Sequence, residues 1–158
     1  MNQTRREVTN NYYLSQSVIF LWIGFVGAIS FMEAWLKFRA PGVTLPIGLS
    51  IGSLVFNALN KVEWVFTLLI ALDLLLLSKN RMRLILALFS VVLVILVIQT
   101  FWLLPALDAR IALYVEGAEV QRSPLHVYYI AVELIKVAAL LIAGIRILTY
   151  REETVFHQ

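Results

Sequence analysis

The chain has no cysteine among its 158 residues. This absence excludes disulfide bonds, thiolate metal sites, iron–sulfur clusters and thiol nucleophiles. Histidine is almost as scarce, because only His126 and His157 occur and His157 lies in the C-terminal tail. A bis-histidine haem needs two imidazoles that face each other inside the protein, so a single chain cannot supply one.

Several motifs that carry well-defined chemistry are also missing from the sequence. It has no Gly-rich phosphate loop, no Gly-x-Ser-x-Gly elbow and no His-Glu-x-x-His zinc motif. The paired Glu-x-x-His motifs that build di-metal centres in helical bundles are absent as well. The sequence therefore argues against a full ferritin-like centre and carries no signature of a particular enzyme.

Charged residues are few and apolar residues are abundant. Only 15% of the residues are charged and 61% are hydrophobic, whereas ordinary soluble domains are about 45–50% apolar. The formal net charge of +3 is spread over the ends of apolar runs and forms no basic block, which is typical of membrane-flanking charge. We therefore predict an integral membrane protein whose partner is the lipid bilayer and not a nucleic acid.

Four apolar runs approach the roughly 20 residues that a transmembrane helix needs. They predict an all-α fold, an integral membrane four-helix bundle, with a single domain over residues 1–158 and spans at about 14–36, 62–77, 84–104 and 127–148. Ala28 and Ser30 loosely resemble a signal-peptide cleavage site. The sequence stays apolar through Trp35, however, which favours a retained first span.

The stretch before the second span has two interpretations. Residues 45–60 are largely apolar, but Asn57, Asn60 and Lys61 are costly in lipid. Either the stretch lengthens the second helix, or it forms a short interfacial or re-entrant segment that turns inward near Asn60. The three polar residues favour the interfacial or re-entrant alternative.

The positions of lysine and arginine predict the orientation of the helices. The side that holds both termini carries seven such residues and the opposite side carries five; the seven are Arg5, Arg6, Lys79, Arg81, Arg83, Arg146 and Arg151, and the five are Lys37, Arg39, Lys61, Arg110 and Arg122. We therefore predict a multi-pass protein of a bacterial inner membrane, with both termini in the cytoplasm.

This topology places a set of polar side chains in the outer half of the membrane. Because a charged side chain at the centre of a membrane helix costs about 2.5–3.5 kcal/mol, these side chains should face one another. Asn60, Glu63 and Thr67 share one helical stripe, and the spacing of His126, Glu133 and Lys136 gives a second. We predict a polar pocket that opens outward and binds its ligand through Glu33, Glu63, Gln99, Asp108, Arg110, His126, Glu133 and Lys136.

The pocket could serve as a site or only hold the helices together. As a structural element it would consist of ion pairs, Glu133 with Lys136 and Glu63 with Lys61 or Arg110. As a site it would hold a divalent metal ion, since oxygen ligands with one imidazole suit such ions. The metal ligands would be Glu33, Glu63, Asp108, His126 and Glu133. Asp73 lies off the Glu63 stripe and has no evident partner in its own helix.

The leading functional hypothesis is binding or passage of a small cation or polar solute through this pocket. An alternative is a structural or assembly subunit of a larger membrane complex, and a third is an intramembrane enzyme that uses Glu33 or Glu63 as base and His126 as proton shuttle. Small residues would also permit close helix approach or a homo-oligomer, through Gly24 with Ala28 or through Gly48 with Gly52.

Two stretches resemble a known family. Phe38-Arg39-Ala40-Pro41, Thr44 and Leu54-Val55-Phe56 resemble the first loop of a family of small four-helix membrane proteins whose human member is associated with cisplatin resistance. The stretch with Trp102, Pro105 and Arg110, leading to His126, looks similar too. Glu33 and Glu133 have no counterpart in that pattern, and the loop before the fourth helix is shorter here. The resemblance implies a four-helix architecture and no established biochemical activity.

Overall fold

The structure is a computed structural model that describes residues 13–76, 83–121 and 123–156. All regular structure in these ranges is helical and forms four long helices. Helix α1 runs as an α-helix over Tyr13–Val26, widens into a π-helix over Gly27–Glu33, and ends with the short turns Ala34–Leu36 and Lys37–Arg39. Helix α2 covers Leu45–Leu76. Helix α3 comprises Arg83–Ile98, a π-helical stretch Gln99–Leu103 and Leu104–Val115, and α4 covers Leu125–Phe156.

The helical prediction is confirmed, and the composition of the helices indicates a membrane protein. Three of the described helices are long and apolar enough to cross a membrane; their most apolar stretches of 18 residues have mean hydropathies of 1.8 within Leu14–Arg39, 1.4 within Leu45–Leu74 and 2.9 within Arg83–Val115. Helix α4 is 32 residues long and contains the fourth predicted span. Much of the orientation prediction rests on positions outside the described residues, namely Arg5, Arg6, Lys79, Arg81 and Arg122, and His157 lies outside them too.

Helix α2 differs from the favoured prediction for residues 45–60. It is one continuous helix of 32 residues, which at about 1.5 Å per residue is about 48 Å long. No separate interfacial or re-entrant segment interrupts it near Asn60, so residues 45–60 extend the second helix. Two of the three polar residues that argued for a break have partners on α3: Asn57 Nδ2 donates to Asp108 Oδ2 at 2.9 Å, and Asn60 Oδ1 accepts from Thr100 Oγ1 at 3.0 Å.

The π-helical stretch of α3 lies directly before a proline. Pro105 has no N–H, and its ring disturbs the preceding helical turn. In the turn before it, Leu104 N–H bonds to the carbonyl of Gln99, five residues back. Such a π-type bond widens the helix and changes the direction of the side chains that follow.

Two apolar clusters fill the interior, and polar side chains lie between them. Helix α1 packs against α2 and α4, while the first half of α3 packs on α4 and its second half on α2. One cluster includes Trp22, Phe66, Leu96 and Leu140, and the other is formed by Leu103, Leu104 and Tyr129 with Phe56 beside them. On α3, Gln99 lies between Leu96 and Leu103; on α4, Glu133 and Lys136 lie between Tyr129 and Leu140. Both α3 and α4 therefore carry polar residues at the level between the two apolar clusters.

The two glycine pairs have different surroundings. A Cβ at Gly52 would lie 2.6 Å from Lys37 Nζ, and a Cβ at Gly48 would overlap the ring of Phe38. The end of α1 therefore fills the Gly48–Gly52 groove of α2. At Gly24 and Gly27 a Cβ would meet no atom within 4 Å.

Candidate functional site: a buried ion network

Lys136 is the centre of the polar layer, and its side chain is completely buried. Its Nζ donates to Glu63 Oε1 at 2.5 Å and to Gln99 Oε1 at 2.8 Å, and lies 3.0 Å from Glu133 Oε2. An ammonium group has three N–H donors, and these three contacts match that number. The partners come from α2, α3 and α4, so one lysine joins three helices.

The three partners of Lys136, namely Glu63, Gln99 and Glu133, make further hydrogen bonds. Trp22 Nε1 donates to Glu63 Oε1 at 2.8 Å, and Ser30 Oγ donates to Glu133 Oε1 at 3.1 Å. Gln99 Nε2 donates to Glu133 Oε2. We call these six residues the ion network: Trp22, Ser30, Glu63, Gln99, Glu133 and Lys136. All four helices contribute to it.

Local helix geometry explains how these side chains meet. Glu133 and Lys136 are three residues apart and therefore neighbours on one face of α4. Ser30 lies in the π-helical stretch of α1, and Gln99 begins the π-helical stretch of α3. Because π-helical turns occur mostly as short insertions in α-helices and frequently at functional sites, this placement sets the network apart from ordinary helix packing.

The ion network contains unequal numbers of opposite charges. With all groups ionised, one lysine and two glutamates give +1 − 2 = −1, and Lys136 is the basic partner of both Glu63 and Glu133 among the salt bridges of the described residues. Both glutamate side chains are only 1% exposed. A buried unbalanced charge costs several kcal/mol because water is not there to screen it. The arrangement therefore favours the uptake of one further positive charge.

The structure brings together four of the eight residues predicted for the pocket, Glu63, Gln99, Glu133 and Lys136. Their side chains are almost fully buried, so they form a closed layer in this structure and not a pocket that opens outward. The predicted pair of Glu133 with Lys136 is confirmed. Glu63 pairs with Lys136 instead of Lys61 or Arg110. Lys61 is exposed, because residues two apart on a helix face different directions.

The other four predicted residues lie elsewhere. Glu33 forms an ion pair with Lys37, with Oε2 and Nζ 3.2 Å apart. Asp108 accepts hydrogen bonds from Ser53 Oγ at 2.6 Å and from Asn57. Arg110 donates to the backbone carbonyl of Gln121, and His126 is exposed near the start of α4.

The five residues predicted as metal ligands do not come together. Only Glu63 and Glu133 share the ion network, while Glu33, Asp108 and His126 occupy separate places. Within the described part of the chain, no three His, Asp or Glu side chains are grouped so that they could hold a metal ion.

Sequence reasoning missed Trp22 and Ser30 as members of the network. For Trp22 a usable signal exists: it lies near the middle of the first predicted span, on the buried stripe of Val18, Ile19 and Val26. A tryptophan buried near the middle of a span needs an acceptor for its indole N–H, and the carboxylates predicted to lie inside the bundle could provide one. Ser30 gave no such signal, because its direction depends on the π-helical stretch.

Over the residues that the structure describes, these observations define an all-helical bundle of four long helices, three of them apolar enough to cross a membrane, around a buried ion network. No protein-family model, no curated protein and no solved structure matches the chain. The resemblance of its first loop to the cisplatin-resistance family therefore stays a prediction.

Proposed function

We propose that the protein binds a small monovalent cation, in the simplest case a proton, at the ion network, as the binding step in moving a cation or polar solute across a bacterial inner membrane. Both termini lie in the cytoplasm in this proposal. The observation that supports it is the fully buried Lys136 between two buried glutamates. One additional positive charge would make the network neutral.

A proton fits this site better than a larger ion. The side chains are in direct contact, so a larger cation would have to displace an existing hydrogen bond. A proton needs no cavity of its own. The separation of the predicted metal ligands also argues against a divalent metal at this place.

Two features of the bundle lie on either side of the ion network. Towards the start of α1, a cavity of about 10 Å³ lies between Ser15 and residues of the first apolar cluster, including Ile70 and Leu140. About 10–15 Å³ is the smallest volume that holds one water. At the opposite end of α1, the side chain of Glu33 is 25% exposed. The lining of this cavity is apolar apart from Ser15, so Glu33 is the protonatable group that flanks the ion network in this proposal.

A structural role is the second candidate function. All four helices contribute to the network, and the ammonium group has a partner for each of its donors. Such networks can fix helix register within a chain or within a larger membrane complex, without any ligand. The enzyme hypothesis receives less support, since His126 is exposed and Glu63 is buried in an ion pair.

Proton flux into vesicles tests the proposal. Purified protein would be reconstituted into liposomes, a membrane potential imposed, and the internal pH followed with a trapped dye. We expect faster proton entry than in protein-free liposomes and its loss in Glu63→Gln. The matched control is Glu116→Gln, which changes an exposed glutamate in the loop after α3.

Two measurements together would contradict a site for small cations. The first is a wild-type flux of protons, sodium and potassium no higher than in empty liposomes. The second is a melting temperature that neither pH nor any of these cations changes, since a ligand that binds only the native state must stabilise it. That pair of results would leave the structural role.

A further inference from the structure

We infer that Glu63 is the carboxyl group that carries the additional proton, while Glu133 stays ionised. This inference rests on the proposed function and adds the atom at which the cation binds, Glu63 Oε2. The reaction is a simple protonation, in which the Glu63 carboxylate becomes a neutral carboxylic acid. The ion network then contains one ion pair, Lys136 with Glu133.

Glu133 has donors at both of its oxygens. Ser30 Oγ donates to Oε1 at 3.1 Å, and Gln99 Nε2 donates to Oε2. Lys136 Nζ lies 3.0 Å from the same Oε2. Hydrogen-bond donors and positive charge favour the ionised form of a carboxyl group. A proton on Glu133 would either replace one of the contacts at Oε2 or reverse the hydrogen bond at Oε1, where the Ser30 hydroxyl would have to turn and accept.

Glu63 is surrounded differently. Its two donors among the described residues, Trp22 Nε1 at 2.8 Å and Lys136 Nζ at 2.5 Å, both end on Oε1. A protonated carboxyl group has one oxygen that only accepts and one that carries the proton. Oε1 therefore matches the carbonyl oxygen, and Oε2 is the position where a proton displaces no described hydrogen bond.

The groups that face Glu63 from the packed helices are consistent with this assignment. On α4 they are the ammonium group of Lys136 and the carboxylate of Glu133, which shares that lysine with Glu63, and two carboxylates at one site favour a proton on one of them. Helix α1 contributes the indole of Trp22, which does not titrate, and on α2 the hydroxyl of Thr67 donates to the backbone carbonyl of Glu63. Helix α3 reaches this region through the neutral amide of Gln99, which bonds Lys136.

Infrared spectroscopy of the full chain in lipid can locate the proton. A buried protonated carboxyl group gives a carbonyl stretching band that shifts in heavy water, and this band should be lost in Glu63→Gln. Trp22→Phe removes one donor to Glu63, and Ser30→Ala removes one donor to Glu133. We expect Trp22→Phe to move the band to higher frequency and Ser30→Ala to leave it in place.

A second pair of variants can locate the proton if Trp22→Phe does not fold. Aspartic and glutamic acids absorb at different frequencies, so Glu63→Asp should shift the band and Glu133→Asp should not. A band that follows Ser30→Ala or Glu133→Asp would overturn the assignment to Glu63 and leave the proposed function standing. A wild-type protein without any band from a buried acid would overturn proton binding itself.

Discussion

Ser15 donates both its backbone N–H, at 3.0 Å, and its hydroxyl to Asp73 Oδ2. Ser15 is the third residue of α1, where backbone N–H groups have no acceptor within the helix. Asp73 lies near the end of α2, so its carboxylate satisfies a free N–H and also complements the positive end of the α1 dipole. This explains why Asp73 lies off the Glu63 stripe: it ties the start of α1 to the end of α2.

Asp73→Asn should therefore destabilise the protein through α1. The change keeps the shape of the side chain but removes its negative charge, and losses of a helix cap typically cost about 0.5–2 kcal/mol. Thermal melting of the detergent-solubilised protein would measure the loss. Ser17→Ala, on an exposed position of the same helix, is the control and should change little. Equal melting temperatures for wild type and Asp73→Asn would contradict this role.

The sequence allowed the four helices to be predicted but not all of their lengths. Apolar runs locate the helices because the hydrocarbon core fixes how many apolar residues a span needs. They do not show that Asn57 and Asn60 meet Asp108 and Thr100, since these partners are 51 and 40 residues away along the chain. Without those contacts the two asparagines favoured a break that the structure does not have.

The candidate site was predictable in part for a related reason. The cost of a charge in lipid implied that Glu63, Glu133 and Lys136 have partners, and this prediction is confirmed. The predicted topology, however, gave only the position of each residue across the membrane. Many residues lie at the same level without pointing into the same part of the bundle. His126 shows the difference: it lies two turns from Glu133 in sequence, yet its side chain is exposed. Rotation about the helix axis is set by packing, which one sequence does not show.

The two glycine pairs should respond differently to alanine. Gly48→Ala places a methyl group against the Phe38 ring, and such overpacking costs about 1–3 kcal/mol when the neighbours cannot move fully. Gly24→Ala meets open space, and alanine is the better helix former by about 1 kcal/mol. We therefore expect Gly48→Ala to lower the melting temperature and Gly24→Ala to leave it equal or higher. The opposite order would show that the end of α1 does not pack in the Gly48–Gly52 groove.

The orientation in the membrane can be tested with reporters. If the cytoplasmic arginines and lysines orient the chain, a reporter fused after Gln158 should read cytoplasmic. A reporter inserted at Gly117, in the loop between α3 and α4, should read external. The reverse pattern would turn the bundle over, so that Glu33 would face the cytoplasm and Asp73 the outside.

The stability of the protein should depend strongly on keeping Lys136 together with its two glutamate partners. Lys136→Met leaves Glu63 and Glu133 buried without their basic partner, and removing one member of a buried ion pair typically costs about 3–5 kcal/mol. Lys61→Met is the matched control, because Lys61 is exposed on α2 and its removal leaves neither glutamate of the ion network without its basic partner. Free energies of unfolding, measured by denaturant titration in mixed micelles, should separate the two variants.

A triple variant shows whether the loss comes from charge or from packing. Lys136→Met combined with Glu63→Gln and Glu133→Gln removes all three ionised groups and keeps similar side-chain volumes. If uncompensated carboxylates cause the instability, this triple variant should be more stable than Lys136→Met alone, although it carries two further changes. Such a recovery is a coupling between neighbouring residues, for which values of about 0.5–3 kcal/mol are typical. A triple variant that is less stable than Lys136→Met would mean that the lysine side chain contributes through packing, and the unequal charge of the network would then have no measurable consequence for folding.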